Sequence, residues 1–574
     1  MIKLNGLIFN NEQGVSPVVG VILMVAITVI LSVAIGIFLL GIGQPNSTSV
    51  SQVNIVEENS NVVVTVNDMG TADAVIVRQS GTENELTRTG ESVTLDSNKG
   101  PVTVISEKDG DRNTLQQYVP ESSISGDSVD YDIVVEEGNS SADYQSIQPA
   151  INGASAGDTI YVRAGNYSEQ YVSEYGSGYL ATAIVNKSVT LIGSSNAVIS
   201  YDRKFLDAGT TFGFSIEDGA SPTIKGFTIH TTSRAYWIQN GDDVTINDTN
   251  VYNISSVMKI RYGDDPSSVS VDSVTADNGT NSAYIYYGSG TPNITVNNTT
   301  VTEFYSGVQV SKANLVEVKN SSFTNMVDSY DSASNIIWMG GEYYNTKNMN
   351  ITISNVELSG SKYSNIYSEK TEAHWDINNV TSTNSEYTGI GLWNASSDAE
   401  VHIEDSNFSN NADDGVTFGY ANMNQITVNN TTIDNNKNNG LQFLGSDNTN
   451  TNTNITISNV ELTNSTYSNI YSYKTDATWD INNVTSTESG WAGIGLWNAS
   501  SDAEVDIEDS EFSNNADDGM DIEDNNNPIT IEDVIVNNNQ KYGISATGTN
   551  PEVSATNISA TGNTNGKCTG NITC

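Results

Sequence analysis

The sequence predicts an all-β protein, a parallel β-helix preceded by a small β-sandwich and a membrane-spanning N-terminal helix. Three observations predict it. A charge-free apolar run occupies Val15 to Gly43, short alternating strand phrases recur at intervals of 21 to 26 residues over most of the chain, and the composition is polar and acidic throughout. Acidic side chains outnumber basic ones 69 to 23 in 574 residues, a net charge of -46. Such a field repels phosphates, so no nucleic acid is expected as a partner. It suits a high-salt medium, where a Debye length of about 3 Å at 1 M screens the self-repulsion. Strand alternation along nearly the whole chain argues against disorder.

The segment 1–14, MIKLNGLIFNNEQG, is read as a leader, and 15–43 as a helix long enough to span a bilayer. A small residue, Gly14, stands before the apolar run rather than after it, the reverse of a secretory signal. The words GVSPVVGVILMVAITVIL resemble the N-terminus of archaeal type IV pilins. That resemblance implies a prepilin peptidase as partner, cutting between Gly14 and Val15, and a place in the membrane or among other pilins. Gly20, Gly36, Gly41 and Gly43 permit close helix packing in either setting. Lys3 on the short side and acidic residues on the long side place everything after about residue 44 outside the cell.

From 44 to 120 the runs VNIV, VVVTV, AVIV, SVTL and VTVIS alternate with period two between Gly, Asn and Asp. They predict a small antiparallel sandwich, and the pattern is similar to the β domain that follows the helix in short archaeal pilins. A linker is expected over 121–142, around ESSISGDSVD.

The β-helix is expected over 143–565, with a C-terminal tail at 566–574. Ile147, Ala150, Ile151 and Ala154 fall at helical spacing, and DYQSIQPAINGASAGDTIYVRAGNYSE resembles the opening of right-handed parallel β-helices of the pectin-lyase-like superfamily, where a helix caps the first coil. A phrase such as NITISNVEL then returns coil after coil, with a second phrase such as GIGL midway through most coils. Their second and fourth letters should face the core, because strand side chains alternate faces. Residues 351–418 recur almost unchanged at 455–522, an offset of 104.

Fold carries no function by itself, so an enzyme of that superfamily must be matched by the residues actually present. No arginine follows Arg261, and the polygalacturonase and methylesterase motifs are missing. Asp413 and Asp414, with their copies Asp517 and Asp518, precede a glycine as turn residues do. His230, His374 and His402 are scattered. No catalytic residue, metal site or cofactor is assigned. The candidates left are for recognition. Trp393 and Trp497 follow inward Leu392 and Leu496 and should point outward, with Tyr363, Tyr367, Tyr467 and Tyr471 nearby, as aromatic faces for glycans or other surfaces. Trp375 and Trp479 fall on inward letters. Sequons at Asn166, Asn247, Asn293, Asn350, Asn379, Asn394, Asn454, Asn483 and Asn498 are candidate glycosylation sites, and Cys568 and Cys574 a candidate disulfide. The reading is an archaeal pilin-like surface protein that displays a β-helix for adhesion, with a cell-anchored polysaccharide-degrading enzyme or a structural envelope protein as alternatives.

Overall fold

The computed structural model describes residues 52–118 and 131–573, apart from short stretches within each, the longest being 202–209 and 446–452. The leader and the apolar run 15–43 lie outside the described residues. Among the described residues no helix is long and apolar enough to cross a membrane. The chain divides into two compact units, Met1–Ser128 and Val129–Cys574.

In the first unit, strands Gln52–Glu58, Asn61–Asp68 and Ser92–Asp96 form one antiparallel sheet. Strands Thr82–Leu86, Ala74–Gln79, Val102–Lys108 and Asp111–Tyr118 form another. Alternation places Val62, Val64 and Val66 on one face of the first sheet, and these join Val75, Val77, Leu86, Val102 and Val104 of the second in a single buried cluster.

The second unit is a parallel β-solenoid built on a 27-stranded and a 17-stranded sheet. Its first strand, Ile133–Val135, lies ten residues ahead of the expected start and pairs with Thr159–Val162. Its last strands, Gly566–Gly570 and Ile572–Thr573, lie where a tail was expected. Both ends escaped the sequence reading because the first and last coils carry degenerate forms of the repeat phrase. The helix Ile147–Gly153 buries Ile147, Gln148, Ala150 and Ile151. Gln148 both accepts a hydrogen bond from the backbone N–H of Ile184 (2.6 Å) and donates one to its carbonyl (3.1 Å). One side chain thereby satisfies the peptide groups that a first coil leaves open.

Each coil stacks the same letters of the phrase. Ile224, Ile246, Val271, Val296, Val318, Ile353, Ile377, Ile403, Val428, Ile457, Ile481, Ile507 and Ile531 pair in register as one inward column. β-branched side chains suit this pleated, buried surface. Ile390 and Leu392 of GIGL are likewise buried, as are Trp375 and Trp479. Between strands, and at bends within the longer ones, the chain turns through left-handed residues, mostly Asn and Asp, among them Asn355, Asn379, Asp405, Asn430, Asn459 and Asn483. These residues tolerate positive φ better than others with a Cβ. Their side chains form ladders as well, Asn379 Nδ2 donating to Asn355 Oδ1 and Asn483 Nδ2 to Asn459 Oδ1, each at 2.8 Å.

Candidate functional site

One outward column brings most of the interesting side chains together. At the turn before the 17-stranded sheet, successive coils hydrogen-bond backbone N–H to carbonyl in the order Tyr363, Tyr387, Asp413, Asn438, Tyr467, Trp491, Asp517, Lys541, Asn565. The column therefore reads two aromatics, two polar residues, two aromatics, then polar residues. It is produced by the duplicated block, because Tyr363 and Tyr387 recur as Tyr467 and Trp491.

In the first copy Tyr363 and Tyr387 stack in parallel with centroids 4.7 Å apart, and Tyr367 meets Tyr363 edge-on at 5.7 Å. The Tyr387 hydroxyl is pushed up to about 12, by burial first and then by the charge of Asp413. Asp413 is itself raised by burial, against hydrogen bonds from Asn438 and Tyr387 that lower it. Trp393 lies flat over Gly419 of the next coil, whose missing side chain makes the room: a Cβ there would stand 2.1 Å from the indole ring.

In the second copy Tyr467 and Trp491 are 47% and 42% exposed, so a stacking surface is open to solvent. Trp491 meets Tyr467 edge-on at 5.7 Å and Trp497 at 5.5 Å, and Tyr471 meets Trp497 at 5.3 Å. The indole N–H of Trp497 donates to Asp521 (3.1 Å). Asp521 is pushed up to about 6, by burial first and then by Asp518 and Glu523. Lys541 donates to Asp517 at 2.9 Å, next to this cluster.

Asp414, the more buried member of the NADDG pair, serves the coil. It is 2% exposed and accepts from the backbone and side-chain amides of Asn439 (2.8 and 3.0 Å) and from the Thr417 hydroxyl (2.8 Å). Burial and the neighbouring Asp413 push it up to about 7. Its copy Asp518 accepts from the Tyr542 backbone N–H (2.7 Å).

The histidines are not gathered. His374 contacts Glu400 at 3.1 Å, His230 stacks on Tyr252, and His402 is exposed. Among the described residues no three His, Cys, Asp or Glu side chains are placed to hold a metal ion. Cys568 is disulfide-bonded, while Cys574 lies outside the described residues. Of the sequons, Asn379 and Asn483 have their side-chain amides engaged in the ladders, whereas Asn394 and Asn498 are exposed at left-handed turns. Asn166, Asn293, Asn350 and Asn454 are exposed and Asn247 half-buried.

Sequence reasoning missed Tyr387, Trp491, Asp521 and Lys541. The two aromatics stand two residues before each GIGL phrase, a signal that could have found them. It also missed a cluster nearer the capped end, where Phe212 and Trp237 stack at 4.9 Å and the Arg234 guanidinium sits 4.5 Å from the Trp237 ring.

Residues 13–55 match the family model for the N-terminal region of archaeal type IV pilins. Residues 422–571 match that for the right-handed β-helix region. No curated protein matches the chain. Among solved structures, a double mutant of the periplasmic alginate epimerase AlgG is 10% identical, covering 67% of this chain and 79% of its own, with a TM-score of 0.33. The mannuronan C-5 epimerase AlgE4 A-module of Azotobacter vinelandii is 12% identical, covering 72% and 89%, with a TM-score of 0.25. The catalytic unit of a GH87 alpha-1,3-glucanase from Streptomyces thermodiastaticus is 12% identical, covering 76% and 95%, with a TM-score of 0.31. Likenesses this distant carry no argument about chemistry. The chain thus has an archaeal type IV pilin N-terminal segment ahead of a right-handed parallel β-helix.

Proposed function

We propose that this protein is a pilin-like adhesin, processed between Gly14 and Val15 by a prepilin peptidase, held in the membrane or a pilus by residues 15–43, and exposing its β-helix outside the cell to recognise saccharides. The observation that carries the recognition is the open aromatic cluster of Tyr467, Trp491 and Trp497 beside Asp517, Asp521 and Lys541. Apolar ring faces next to hydrogen-bonding groups fit a sugar, whose two faces are apolar and whose edge is hydroxylated. Processing is supported by the pilin match over 13–55. Mass spectrometry of the mature protein should find Val15 first, and retention of the leader would refute it.

Recognition is tested by retention of the detergent-solubilised full chain on insoluble polysaccharides. Trp491→Ala combined with Trp497→Ala should lower retention about tenfold or more, since each stacked aromatic contributes on the order of 1 kcal/mol beyond its area. Unchanged retention, with the circular dichroism of the solenoid intact, would sink the reading.

A second reading, cleavage of extracellular polysaccharide, is favoured by one observation. Asp521, raised to about 6 and close to Asp518, has the character of a general acid. The same incubation decides it: soluble sugar released by the wild type and lost in Asp521→Asn supports cleavage, and release of none excludes it for that polymer.

A further inference from the structure

We infer that the two aromatic pairs of the outward column form one bipartite site for a linear, neutral or amino-sugar polymer lying along the solenoid axis. The inference rests on the saccharide reading above and deepens it.

Tyr363 and Tyr387 occupy successive coils, Asp413 and Asn438 the next two, and Tyr467 and Trp491 the two after those. Coils of a parallel solenoid are separated by the strand spacing, about 4.8 Å. The second pair therefore repeats the first after four coils, roughly 19 Å further along the same line. The two pairs lie on one sheet edge of one continuous unit, whose buried core runs without a break beneath both, from Ile366 and Ile390 to Ile470 and Ile494. Their separation is thus fixed before any ligand arrives. A rigid pair of stacking surfaces favours a ligand that is itself extended and repetitive, because the second contact is then made at high effective concentration and without further ordering of the protein.

The polar coils between the pairs fit the same occupant. Asp413 and Asn438 bond to each other and present a carboxylate and an amide, groups suited to hydroxyl or N–H donors along the edge of a sugar chain. Charge selects the class of polymer. The column is bordered by Asp413, Glu369 and Glu386 at the first pair and by Asp517, Asp521 and Glu523 at the second. Two cations of this edge are already paired, Lys362 with Glu386 and Lys541 with Asp517. Lys437, exposed beside Asn438, is a cation between the pairs, but carboxylates outnumber these three cations, so anionic polymers would meet net repulsion at both pairs, whereas neutral or amino sugars would not.

The test is calorimetric titration of the detergent-solubilised full chain with chitooligosaccharides of increasing length. Affinity should rise by tenfold or more at the length that first covers four coils, then level off. Tyr363→Ala with Tyr387→Ala, and separately Trp491→Ala, should each return the long oligomer to the affinity of the short one. An oligouronate of equal length should bind more weakly. If short oligomers bind and Trp491→Ala removes that binding, yet no step appears with length, the bipartite site is refuted while saccharide recognition stands. A tighter oligouronate overturns the assignment of polymer class. If no length binds, both inferences fall.

Discussion

The duplicated block offers two copies of one design, and they have diverged mostly on the outward letters, with Val416 against Met520 and Phe418 against Ile522 among the exceptions in the core. Inward, the copies are nearly interchangeable: Ile351 and Ile455, Trp375 and Trp479, Ile377 and Ile481, and Leu392 and Leu496 occupy equivalent buried positions. Outward, Tyr387 has become Trp491, Thr417 has become Asp521, and Gly419 has become Glu523. The last exchange has a steric consequence. In the first copy Trp393 lies down over Gly419. Glu523 carries the Cβ that closes this place, so Trp497 turns instead to Trp491 and donates to Asp521. The indole that lies over a glycine in one copy belongs to an open cluster in the other. A duplicated coil thus keeps most of its inward letters while its outward letters vary.

The largest test of this comparison lies in the core. Trp375→Ala and Trp479→Ala should each destabilise their own coils by about 3–5 kcal/mol, measured by hydrogen exchange of the strands Thr371–Thr383 and Ala477–Asn482. Trp479 additionally meets Phe443 edge-on at 4.8 Å, where the first copy has Met339. Its loss should cost up to about 1 kcal/mol more. A far larger gap between the two would mean that the inward exchanges weigh more than this one ring contact.

A somewhat smaller effect, up to about 4 kcal/mol for Asp414 and about 3 kcal/mol for Asp521 at about 1.4 kcal/mol per pKa unit, is expected from two carboxyls shifted by burial. Both Asp414 and Asp521 are raised above the ordinary 3.8, to about 7 and about 6. The folded state therefore holds the proton more tightly than the unfolded chain. The sign follows: the stability this contributes is complete below about pH 4, declines as pH rises, and is gone above about pH 7 for Asp414 and about pH 6 for Asp521. Urea denaturation across that window should show the decline. Asp414→Asn should remove its upper part and Asp521→Asn should leave that part in place. A wild-type profile that is flat from pH 4 to 7 would contradict both assignments.

The contrast between inside and outside also describes what was legible beforehand. Inward letters are written in a two-letter alternation that burial enforces at every coil, so Ile353, Ile377 and Ile390 could be placed without coordinates. Outward neighbours come from coils of unequal length, with 29 residues between Asn438 and Tyr467 and 24 between Tyr467 and Trp491. No single period aligns them, and the column became visible only once the backbone ladder had set the register. Trp393 and Trp497 were legible as outward side chains. What separates them, a glycine against a glutamate one coil further on, was not, because it depends on contact across coils. Asp521 was hidden for the same reason: its raised affinity for a proton comes from burial, from Asp518 in its own coil and from Glu523, none of which forms a motif.

The smallest effect is the most direct break of the comparison. Gly419→Ala places a methyl group where the Trp393 ring lies, 2.1 Å from its nearest atom, so the indole has to leave. The stability loss should be modest, about 1 kcal/mol, since the ring is only partly buried and moves towards solvent. Glu523→Gly should do the reverse, letting Trp497 lie over residue 523 and parting it from Trp491. Acrylamide quenching of tryptophan emission reports both, with accessibility rising in Gly419→Ala and Trp497 becoming better shielded in Glu523→Gly, read in a Trp491→Phe background. If Trp497 keeps its emission and its bond to Asp521 after Glu523→Gly, then the cluster is held by Asp521 and Trp491 rather than by the obstructing side chain. Thr417→Asp in the first copy, combined with Gly419→Glu and Tyr387→Trp, would then be needed to rebuild the open cluster there. Success with Gly419→Glu and Tyr387→Trp alone would instead establish that one closed gap is sufficient to turn a covered coil into an exposed one.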